Sequence, residues 1–280
     1  MTLTNKLAPG SIGVFDSGYG GLTILSEIQS LMPEYDYIYL GDNLRAPYGS
    51  RSFETVYEFT KQAVEALFGM GCNLVVLACN TASAKALRTI QQNDLPMLNP
   101  DKRVLGVIRP TVEVVGNISK NGHIGILGTI GTIQSKSYDI EIAKFYPDFK
   151  VSGQACPMWA PLVENNEYEN EGADYFVRKN IGQLLTKDAD IDTIILGCTH
   201  YPILLNSIKK QLPENINVIS QGYYVANSLK DYLHRHTDMD SVCKKNGITR
   251  YYSTESPEKF EEAASIFMGK KVSAERLIIQ

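Results

Sequence analysis

The 280-residue sequence has few of the features that mark membrane or secreted proteins. Its longest apolar runs, such as Leu74 to Ala78 and Ile194 to Leu196, are far shorter than the roughly 18–20 residues that cross a bilayer. Residues Met1 to Gly10 lack the basic-then-apolar order of a signal peptide. We therefore predict a soluble, cytoplasmic protein that does not bind membranes.

Cysteine is scarce and scattered, and the sequence has no CxxC pair and no compact group of histidines and cysteines. An odd number of widely separated cysteines makes a poor disulfide framework and fits a reducing compartment. A metal site is not expected without clustered ligands. Any chemical role of a cysteine should therefore be that of a thiolate. The five cysteines are Cys72, Cys79, Cys156, Cys198 and Cys243.

The sequence also lacks a strong excess of charge of either sign. The 27 basic and 31 acidic side chains leave a formal charge of −4, so no broad basic surface predicts nucleic-acid binding. Hydrophobic residues make up 44% and charged residues 21%, which is ordinary usage for a globular protein. A chain of this length typically forms two domains.

Short apolar runs alternate with helix-like stretches through most of the chain, a pattern typical of an α/β fold with mostly parallel strands. The predicted strands are Ser11 to Phe15, Tyr37 to Leu40, Leu74 to Ala78, Val104 to Val107, His123 to Leu127 and Thr193 to Leu196. The predicted helices include Phe53 to Met70, Ala82 to Gln91, Pro110 to Ser119, Thr132 to Phe145 and Pro257 to Met268. Asn93 to Arg103, with two prolines, resembles a linker.

An internal similarity indicates that this pattern is duplicated. The segment Ser11 to Ser17 (SIGVFDS) resembles His123 to Thr129 (HIGILGT), and Leu77 to Thr81 (LACNT) resembles Leu196 to His200 (LGCTH). The two segments occur in the same order and at similar intervals in both halves. We therefore predict two pseudo-symmetric, mostly parallel α/β domains that face each other across an interdomain cleft.

Polar and nucleophilic residues follow the predicted strands, and open parallel sheets bind ligands beyond the carboxyl ends of their strands. If the two halves face each other, Cys79 and Cys198 approach one cleft from opposite sides. Two acid/base groups so placed can remove a proton from one face of a carbon and return it on the other. A thiol, with an ordinary pKa of ~8.5, can serve in either form. The strand-end residues are Asp16, Ser17, Cys79, Asn80, Thr129, Cys198, Thr199 and His200.

The neighbours of these two cysteines fit such a reaction. Asp16 is placed to accept or orient a proton beside Cys79, and His200 to do so beside Cys198. Hydroxyl and amide side chains at the same strand ends can hold a carboxylate and an ammonium group. Fixing a substrate by these groups would leave its Cα–H aimed at the sulfurs. These polar residues are Ser17, Asn80, Thr81 and Thr199.

Other interpretations of the same residues remain open. Either cysteine alone can be a small buried hydrophobic residue, and His200 can be a core histidine. The glycine-rich Asp16 to Gly21 turn can hold a phosphate, although it matches no nucleotide motif. The whole protein can be a two-domain amino-acid-binding protein, which needs no opposed thiols. A thiol hydrolase needs one nucleophile and leaves the second cysteine without a role.

At these residues the sequence resembles the glutamate racemases of the cofactor-independent aspartate/glutamate racemase superfamily. The resemblance implies a cytoplasmic enzyme that interconverts L- and D-glutamate without a cofactor or metal and supplies D-glutamate for peptidoglycan. We also expect a homo-oligomer, a dimer. The matching segments are Gly13 to Thr23, Gly41-Asp42, Ala46 to Gly49, Ala78 to Ser83, Gly128-Thr129 with Thr132 and Ser135, and Gly197 to Pro202.

The resemblance also implies roles for individual residues. Cys79 and Cys198 would be the two acid/base residues, assisted by Asp16 and His200, and Glu164 would be a further assisting carboxylate after Pro161-Leu162-Val163. The implied first domain is 1–103 plus 220–280, and the second is 104–219. The implied substrate-binding residues are Asp16, Ser17, Pro47, Tyr48, Gly49, Asn80, Thr81, Thr129, Thr199 and His200.

Two segments depart from the family pattern. Arg109 stands where many relatives carry glutamate, and Ile219 to Gly222 (ISQG) differs from the acidic or Asp-Ser form expected there. Both lie outside the thiol motifs, so they bear on interdomain contacts or regulation and leave the reaction as expected. An aspartate racemase would use the same chemistry, and one methylene of substrate is worth only about 1–3 kcal/mol of selectivity.

Overall fold

A computed structural model describes residues 7–279. Its ten strands form two sheets in which every pair is parallel. The first sheet has the order β10-β9-β2-β1-β3-β4, and the second has the order β6-β5-β7-β8. The strands are β1 Ile12–Asp16, β2 Tyr37–Gly41, β3 Leu74–Leu77, β4 Arg103–Gly106, β5 His123–Gly128, β6 Lys150–Ala155, β7 Thr193–Gly197, β8 Asn217–Ile219, β9 Thr249–Ser253 and β10 Ala274–Arg276.

Helices follow most strands, as parallel pairing requires a crossover between neighbours. The helices of the first half are α1 Leu22–Leu31, α2 Phe53–Gly69, α3 Asn80–Lys85, α4 Leu87–Thr89, α5 Leu95–Leu98 and α6 Ile108–Val115, with a π-helical turn at Ile90–Asp94. Those that follow are α7 Ile130–Gln134, α8 Ser137–Phe145, α9 Trp159–Glu164, α10 Glu171–Lys187, α11 Leu205–Lys210, α12 Gln221–Arg235, α13 Thr237–Ser241 and α14 Pro257–Met268. Short 3₁₀ turns occupy Asn43–Arg45 and Tyr201–Leu204. Within residues 7–279, no helix combines the length and apolar character needed to cross a membrane.

The two sheets repeat one strand order. In the first, β1 lies between β2 and β3 and β4 follows β3; in the second, β5 lies between β6 and β7 and β8 follows β7. The similar sequence segments therefore form equivalent central strands, and Cys79 and Cys198 follow the equivalent strands β3 and β7. This arrangement confirms the predicted fold of two similar, parallel α/β units.

The burial of the central strands explains why their sequences are almost entirely apolar. All five residues of β1 and all four of β3 are buried, because helices cover both faces of a parallel sheet. Continuous apolar strands such as Leu74–Leu77 are the result. The polar exception in β1 is Asp16, its last residue, which is fully buried at the carboxyl end.

The first sheet extends beyond the predicted end of the first domain. Strand β4 pairs with β3 in this sheet, with Leu74 opposite Arg103 and Leu77 opposite Gly106. The returning tail adds β9 and β10 to the same sheet. The division at residues 103 and 219 stays a prediction, but the strand pairing places Val104 to Gly106 with the first sheet. Local sequence cannot reveal which partner an apolar strand chooses.

Several predicted elements begin or end at different residues. The helix expected over Ala82 to Gln91 begins at Asn80, because Cys79 caps it by accepting a hydrogen bond from the Ala82 N–H. The helix expected from Pro110 begins at Ile108, which places the proline in the first turn, where its missing N–H costs nothing. The expected linker at 93–103 contains helix α5.

Asp36 connects the returning tail to the first sheet. Its Oδ1 accepts hydrogen bonds from the N–H groups of Asn246 and Ile248, at 2.9 and 3.1 Å, and its Oδ2 accepts one from Asn246 Nδ2 at 2.8 Å. Burial alone would raise the pKa of this carboxyl, but these hydrogen bonds outweigh burial and lower the pKa below its ordinary value. The charged form is therefore favoured in the folded state.

We expect Asp36→Ala to lower the free energy of unfolding by about 2 kcal/mol at neutral pH, because three donors lose a charged acceptor. The stabilisation is present above the ordinary carboxyl pKa of 3.8 and is lost as the pH falls through the lower folded value. Urea unfolding of both proteins near neutral pH and near the carboxyl pKa measures this difference. The exposed Asp148, changed to alanine, is the control. If the difference in unfolding free energy between the wild type and Asp36→Ala is the same at both pH values, the charge of Asp36 does not contribute to stability.

Candidate active site

The carboxyl ends of both sheets border one cavity of about 280 Å³. Both Cys79, after β3, and Cys198, after β7, line it. The structure thus brings together two thiols that are far apart in the chain. Of the residues predicted for the site, those that line the cavity are Ser17, Pro47, Tyr48, Gly49, Cys79, Asn80, Thr81, Thr129, Glu164, Cys198, Thr199 and His200.

Cys79 is held at the start of helix α3 with little exposure to solvent. Its Sγ lies 3.4 Å from Ser17 Oγ and accepts a hydrogen bond from the Ala82 N–H at 3.5 Å. Burial, followed by the nearby charge of Asp16, raises the pKa of the Cys79 thiol to about 12. Cys79 is therefore a neutral thiol that is able to donate a proton.

Cys198 has a different partner. Its Sγ lies 3.7 Å from His200 Nδ1, and the other ring nitrogen, Nε2, lies 2.8 Å from Glu164 Oε1. Burial alone would lower the pKa of His200, but the hydrogen bonds to Cys198 and Glu164 outweigh burial and raise it well above the ordinary value. A protonated imidazole donates at both nitrogens, so His200 can donate to the sulfur and to the carboxylate together.

This arrangement makes the two thiols unequal. The sulfur of Cys198 faces the imidazole of His200, whereas Cys79 lies near the carboxylate of Asp16. The two sides of the cavity therefore differ in the charged groups beside the sulfur.

Asp16 lies behind the cavity wall. It is fully buried, its Oδ2 accepts a hydrogen bond from the Gly18 N–H at 2.9 Å, and its Oδ1 lies 3.5 Å from the donating Thr199 hydroxyl. Burial raises the pKa of Asp16, while the positive charge of His200 opposes that shift. Although predicted to assist Cys79, Asp16 is hydrogen-bonded to the residue that follows Cys198. It therefore connects the two sides of the site.

The two halves of the chain approach each other closely at two glycines beside the cavity. A Cβ added at Gly20 would lie 2.2 Å from Thr199 Oγ1 and 2.5 Å from His200 Nδ1. A Cβ at Gly49 would lie 2.9 Å from Thr129 Cβ. Contacts this short cannot form, so both positions require glycine for the two halves to meet.

A cluster of threonine hydroxyls crosses the cavity between the halves. Thr81 Oγ1 lies 2.9 Å from Thr129 Oγ1, and Thr129 also caps helix α7 by accepting from the Thr132 N–H at 3.2 Å. The Thr129 hydroxyl donates to Thr132 Oγ1 at 3.1 Å. These hydroxyls offer donors of the kind that bind a carboxylate.

Tyr48 contributes to the cavity in a different way from that expected. Its ring lines the wall, but its hydroxyl donates to Asp42 Oδ2, which also accepts from Arg45 Nε at 2.6 Å. The phenol is thereby directed away from the cavity. Tyr48 and its neighbours Pro47 and Gly49 can therefore shape the cavity by ring and backbone atoms.

One thiol that lines the cavity is not among the residues predicted for the site. Cys156 follows strand β6 and lines the cavity, and its Sγ donates to Gln154 O at 3.6 Å. Burial raises the pKa of this thiol well above its ordinary value. The available signal was the Cys156-Pro157 pair at a strand end, but the strand has only intermediate burial and its sequence, KVSGQA, is not apolar.

The two segments that depart from the family pattern lie in different surroundings. Arg109, on helix α6, pairs with Glu113 Oε1 at 2.9 Å on an exposed face and lies over the Phe145 ring. Gln221 is buried at the start of helix α12 and contacts Asn80 directly. Only the second departure reaches the site.

One group of possible metal ligands occurs in the described chain, away from the cavity. It consists of His123, Asp188 and Asp190. Asp188 already accepts from His123 Nδ1 at 2.9 Å and lies 3.2 Å from Lys150 Nζ. Two cationic or donor groups thus occupy this carboxylate, so we assign no metal to it.

The chain is similar to known racemases over nearly all of its length. The family model for Asp/Glu/hydantoin racemases matches residues 22–225. A glutamate racemase from Roseobacter denitrificans is 38% identical over 94% of this chain and 98% of its own. One from Persephonella marina is 37% identical over 95% of this chain and 96% of its own.

Solved structures give the same result. A glutamate racemase isoform from Bacillus anthracis superposes with a TM-score of 0.87 at 37% identity, covering 98% of this chain and 99% of that one. The Francisella tularensis glutamate racemase, solved in complex with D-glutamate, superposes with a TM-score of 0.85 at 30% identity and 98% coverage of both chains. The similarity extends over both sheets.

Proposed function

The chain belongs to the Asp/Glu/hydantoin racemase family, and from this membership we infer that it is a glutamate racemase, an isomerase that interconverts L- and D-glutamate. One observation in the structure carries the inference beyond similarity. Thiols that follow equivalent strands of two sheets, Cys79 and Cys198, line a single cavity. Inversion of a carbon by two acid/base groups requires such a pair.

The proposed reaction has two proton transfers. A thiolate removes the α-proton from one face of glutamate, which leaves the electron pair on a carbanion conjugated with the α-carboxylate. The opposite thiol then donates its proton to the other face, so the products are the second enantiomer and an exchanged pair of thiol states. Before the first transfer, one of the two cysteines is the thiolate and the other is the thiol. The reverse reaction uses the opposite state.

Neighbouring residues assist these transfers. His200, with Glu164 behind it, stabilises negative charge on Cys198 and can return a proton to it. Asp16 orients Thr199 and places negative charge near Cys79, which keeps that thiol protonated. We propose no cofactor, because the thiols themselves perform both transfers.

The remaining polar residues are proposed to bind the substrate. The hydroxyl and amide groups of Ser17, Asn80, Thr81, Thr129 and Thr199 line the same cavity as the two sulfurs and can hold the α-carboxylate and the ammonium group. The loop at Pro47 to Gly49 would contact the far end of the side chain. Donors on the carboxylate would also stabilise the charge that develops as the carbanion forms.

Exchange of the α-proton with solvent tests this function directly. Purified protein, incubated in D₂O with L-glutamate and without pyridoxal phosphate, should produce D-glutamate carrying deuterium at Cα, followed by NMR and chiral chromatography. Aspartate in a parallel incubation tests the alternative substrate, whose shorter side chain should bind less well. If both glutamate enantiomers keep their α-protons in the presence of folded protein, the proposed function is wrong.

The cellular setting is proposed on the same basis. A racemase of this kind supplies D-glutamate for peptidoglycan in the cytoplasm, and a reducing compartment keeps catalytic thiols free. All five cysteines are free of disulfide bonds in the structure. A homo-oligomer, specifically a dimer, follows from the resemblance and is tested by light scattering on the purified protein.

A further inference from the structure

Gln221 joins a buried group of polar side chains immediately behind the cavity. Its Oε1 accepts from Asn80 Nδ2 at 2.7 Å, and its Nε2 donates to the Tyr138 hydroxyl at 2.8 Å. The same Nε2 lies 3.0 Å from Thr111 Oγ1 and 3.2 Å from Val107 O. Tyr138 closes a triangle by donating to Asn80 Oδ1 at 2.7 Å. The side-chain amide of Gln221, on helix α12, is therefore bonded to residues in or next to helices α3, α6 and α8.

The direction of these hydrogen bonds is determined by the backbone. Val107 O can only accept, and the Thr111 hydroxyl already donates to it at 3.0 Å. The group of Gln221 that faces both must therefore be its NH₂. Its oxygen then faces Asn80, so Asn80 must present its own NH₂ to Gln221. The phenol of Tyr138, which accepts from Gln221, donates its one hydrogen to the oxygen of Asn80.

This direction limits what Asn80 can offer to a ligand. Its oxygen already accepts from Tyr138, and one of its two N–H hydrogens is donated to Gln221. Asn80 lines the cavity and has one N–H left. A lone N–H donor suits a carboxylate oxygen and cannot accept from an ammonium group.

We propose that Gln221 is a positioning residue that fixes the amide of Asn80 with its N–H toward the cavity, so that Asn80 binds a carboxylate of the substrate. The proposal rests on the proposed racemase function. Without Gln221, the Tyr138 hydroxyl loses the group that donates to it and can accept from Asn80 instead, so the amide of Asn80 can turn over. In that orientation the Asn80 oxygen faces the carboxylate and repels it.

Because these side chains are buried, the positioning role of Gln221 requires that each polar group of the network has a hydrogen-bond partner within it. Asn80, Gln221 and Tyr138 are each at most 2% exposed, so water cannot replace a missing partner at little cost. The set joins helix α12, which returns from the second sheet, to helices α3, α6 and α8. Gln221, which lies in one of the two segments that depart from the family pattern, is thus the centre of this hydrogen-bond network.

Gln221→Met tests the proposal because methionine fills similar space without hydrogen-bonding groups. We expect the KM for both glutamate enantiomers to rise about tenfold, with a smaller change in kcat, since a carboxylate contact acts in the ground state as well as in the transition state. Thr111→Val, which removes one partner of Gln221 outside the cavity, should change KM in the same direction by less. Gln29→Met is the matched control, because Gln29 is bonded to Thr249 and lies outside the cavity.

A double-mutant cycle separates positioning from general destabilisation. In an Asn80→Ala background, Gln221→Met should change KM less than about twofold, because the residue through which it acts is gone. A tenfold rise in both backgrounds, or none in the wild-type background, would overturn the proposal. If the wild-type protein does not exchange the α-proton of glutamate, the racemase function itself is wrong, and this result is distinct from the KM measurements. Thermal melts show whether each variant folds. If Gln221→Met does not fold, the same double-mutant cycle is measured with Thr111→Val in its place.

Discussion

Racemisation should fall by at least about 10³-fold when either Cys79 or Cys198 is changed to serine. Positioned acid/base groups contribute about 10²–10⁴-fold each, and a serine hydroxyl is far too weak an acid to replace a thiol near neutral pH. Both residues line the one cavity, so loss of either stops one of the two proton transfers. Chiral chromatography of glutamate incubated with each variant measures the effect.

The two single variants should also differ in which enantiomer retains exchange. With one thiol left, the enzyme can still remove and return a proton on the face that this thiol contacts. Each serine variant should therefore exchange the α-proton of one enantiomer only, and the two variants should exchange opposite enantiomers. Cys243→Ser is the control, since Cys243 donates to Met239 O outside the cavity and a hydroxyl can replace it there. Full racemisation by either variant would show that its cysteine is not an acid/base group.

His200→Asn should lower kcat/KM by about 10²-fold, since asparagine keeps a polar side chain but cannot carry a proton. The loss should be equal in the two directions. L- and D-glutamate have the same free energy in water, so the ratio of their kcat/KM values is determined by equilibrium and no variant can change it. Only the separate kcat and KM values can differ between directions.

The pH dependence distinguishes the imidazole from a merely structural residue. In the wild type, hydrogen bonds to Cys198 and Glu164 raise the pKa of His200, so it remains protonated at neutral pH and loses its proton only in more alkaline solution. The corresponding alkaline fall in kcat/KM should be absent from His200→Asn. An unchanged pH profile in the variant would assign that fall to another group. Equal kcat/KM with a normal profile would remove His200 from the mechanism.

Much of the site could be predicted because parallel strands put their carboxyl ends at one edge of a sheet. Cys79 and Cys198 each follow a fully buried apolar strand, and such strands are readable as short runs between helical segments. The similar segments before Asp16 and Thr129 indicated that two such edges exist. Twelve of the predicted site residues line the cavity, and Asp16 lies directly behind it.

Other features depend on contacts that no local pattern records. Whether Tyr48 directs its hydroxyl to the cavity or to Asp42 is a matter of side-chain direction. The partner of Asp16 is Thr199, which is far away in sequence. Strand β4 pairs with β3, and the predicted end of the first domain at residue 103 falls at the first residue of that strand. Local propensity carries no information on these choices, since each is settled by packing between distant segments.

The order of residue types along the chain determined the central parallel strands, the helices between them and the strand-end position of the two thiols, because periodicity and strand-end position are local properties. Only the tertiary structure decided that these thiols share a cavity, that His200 reaches Cys198 while Glu164 supports it, and that Gln221 sets the direction of the Asn80 amide. Those are matters of distance and hydrogen-bond direction between separate elements. They exist only once the two sheets have packed against each other.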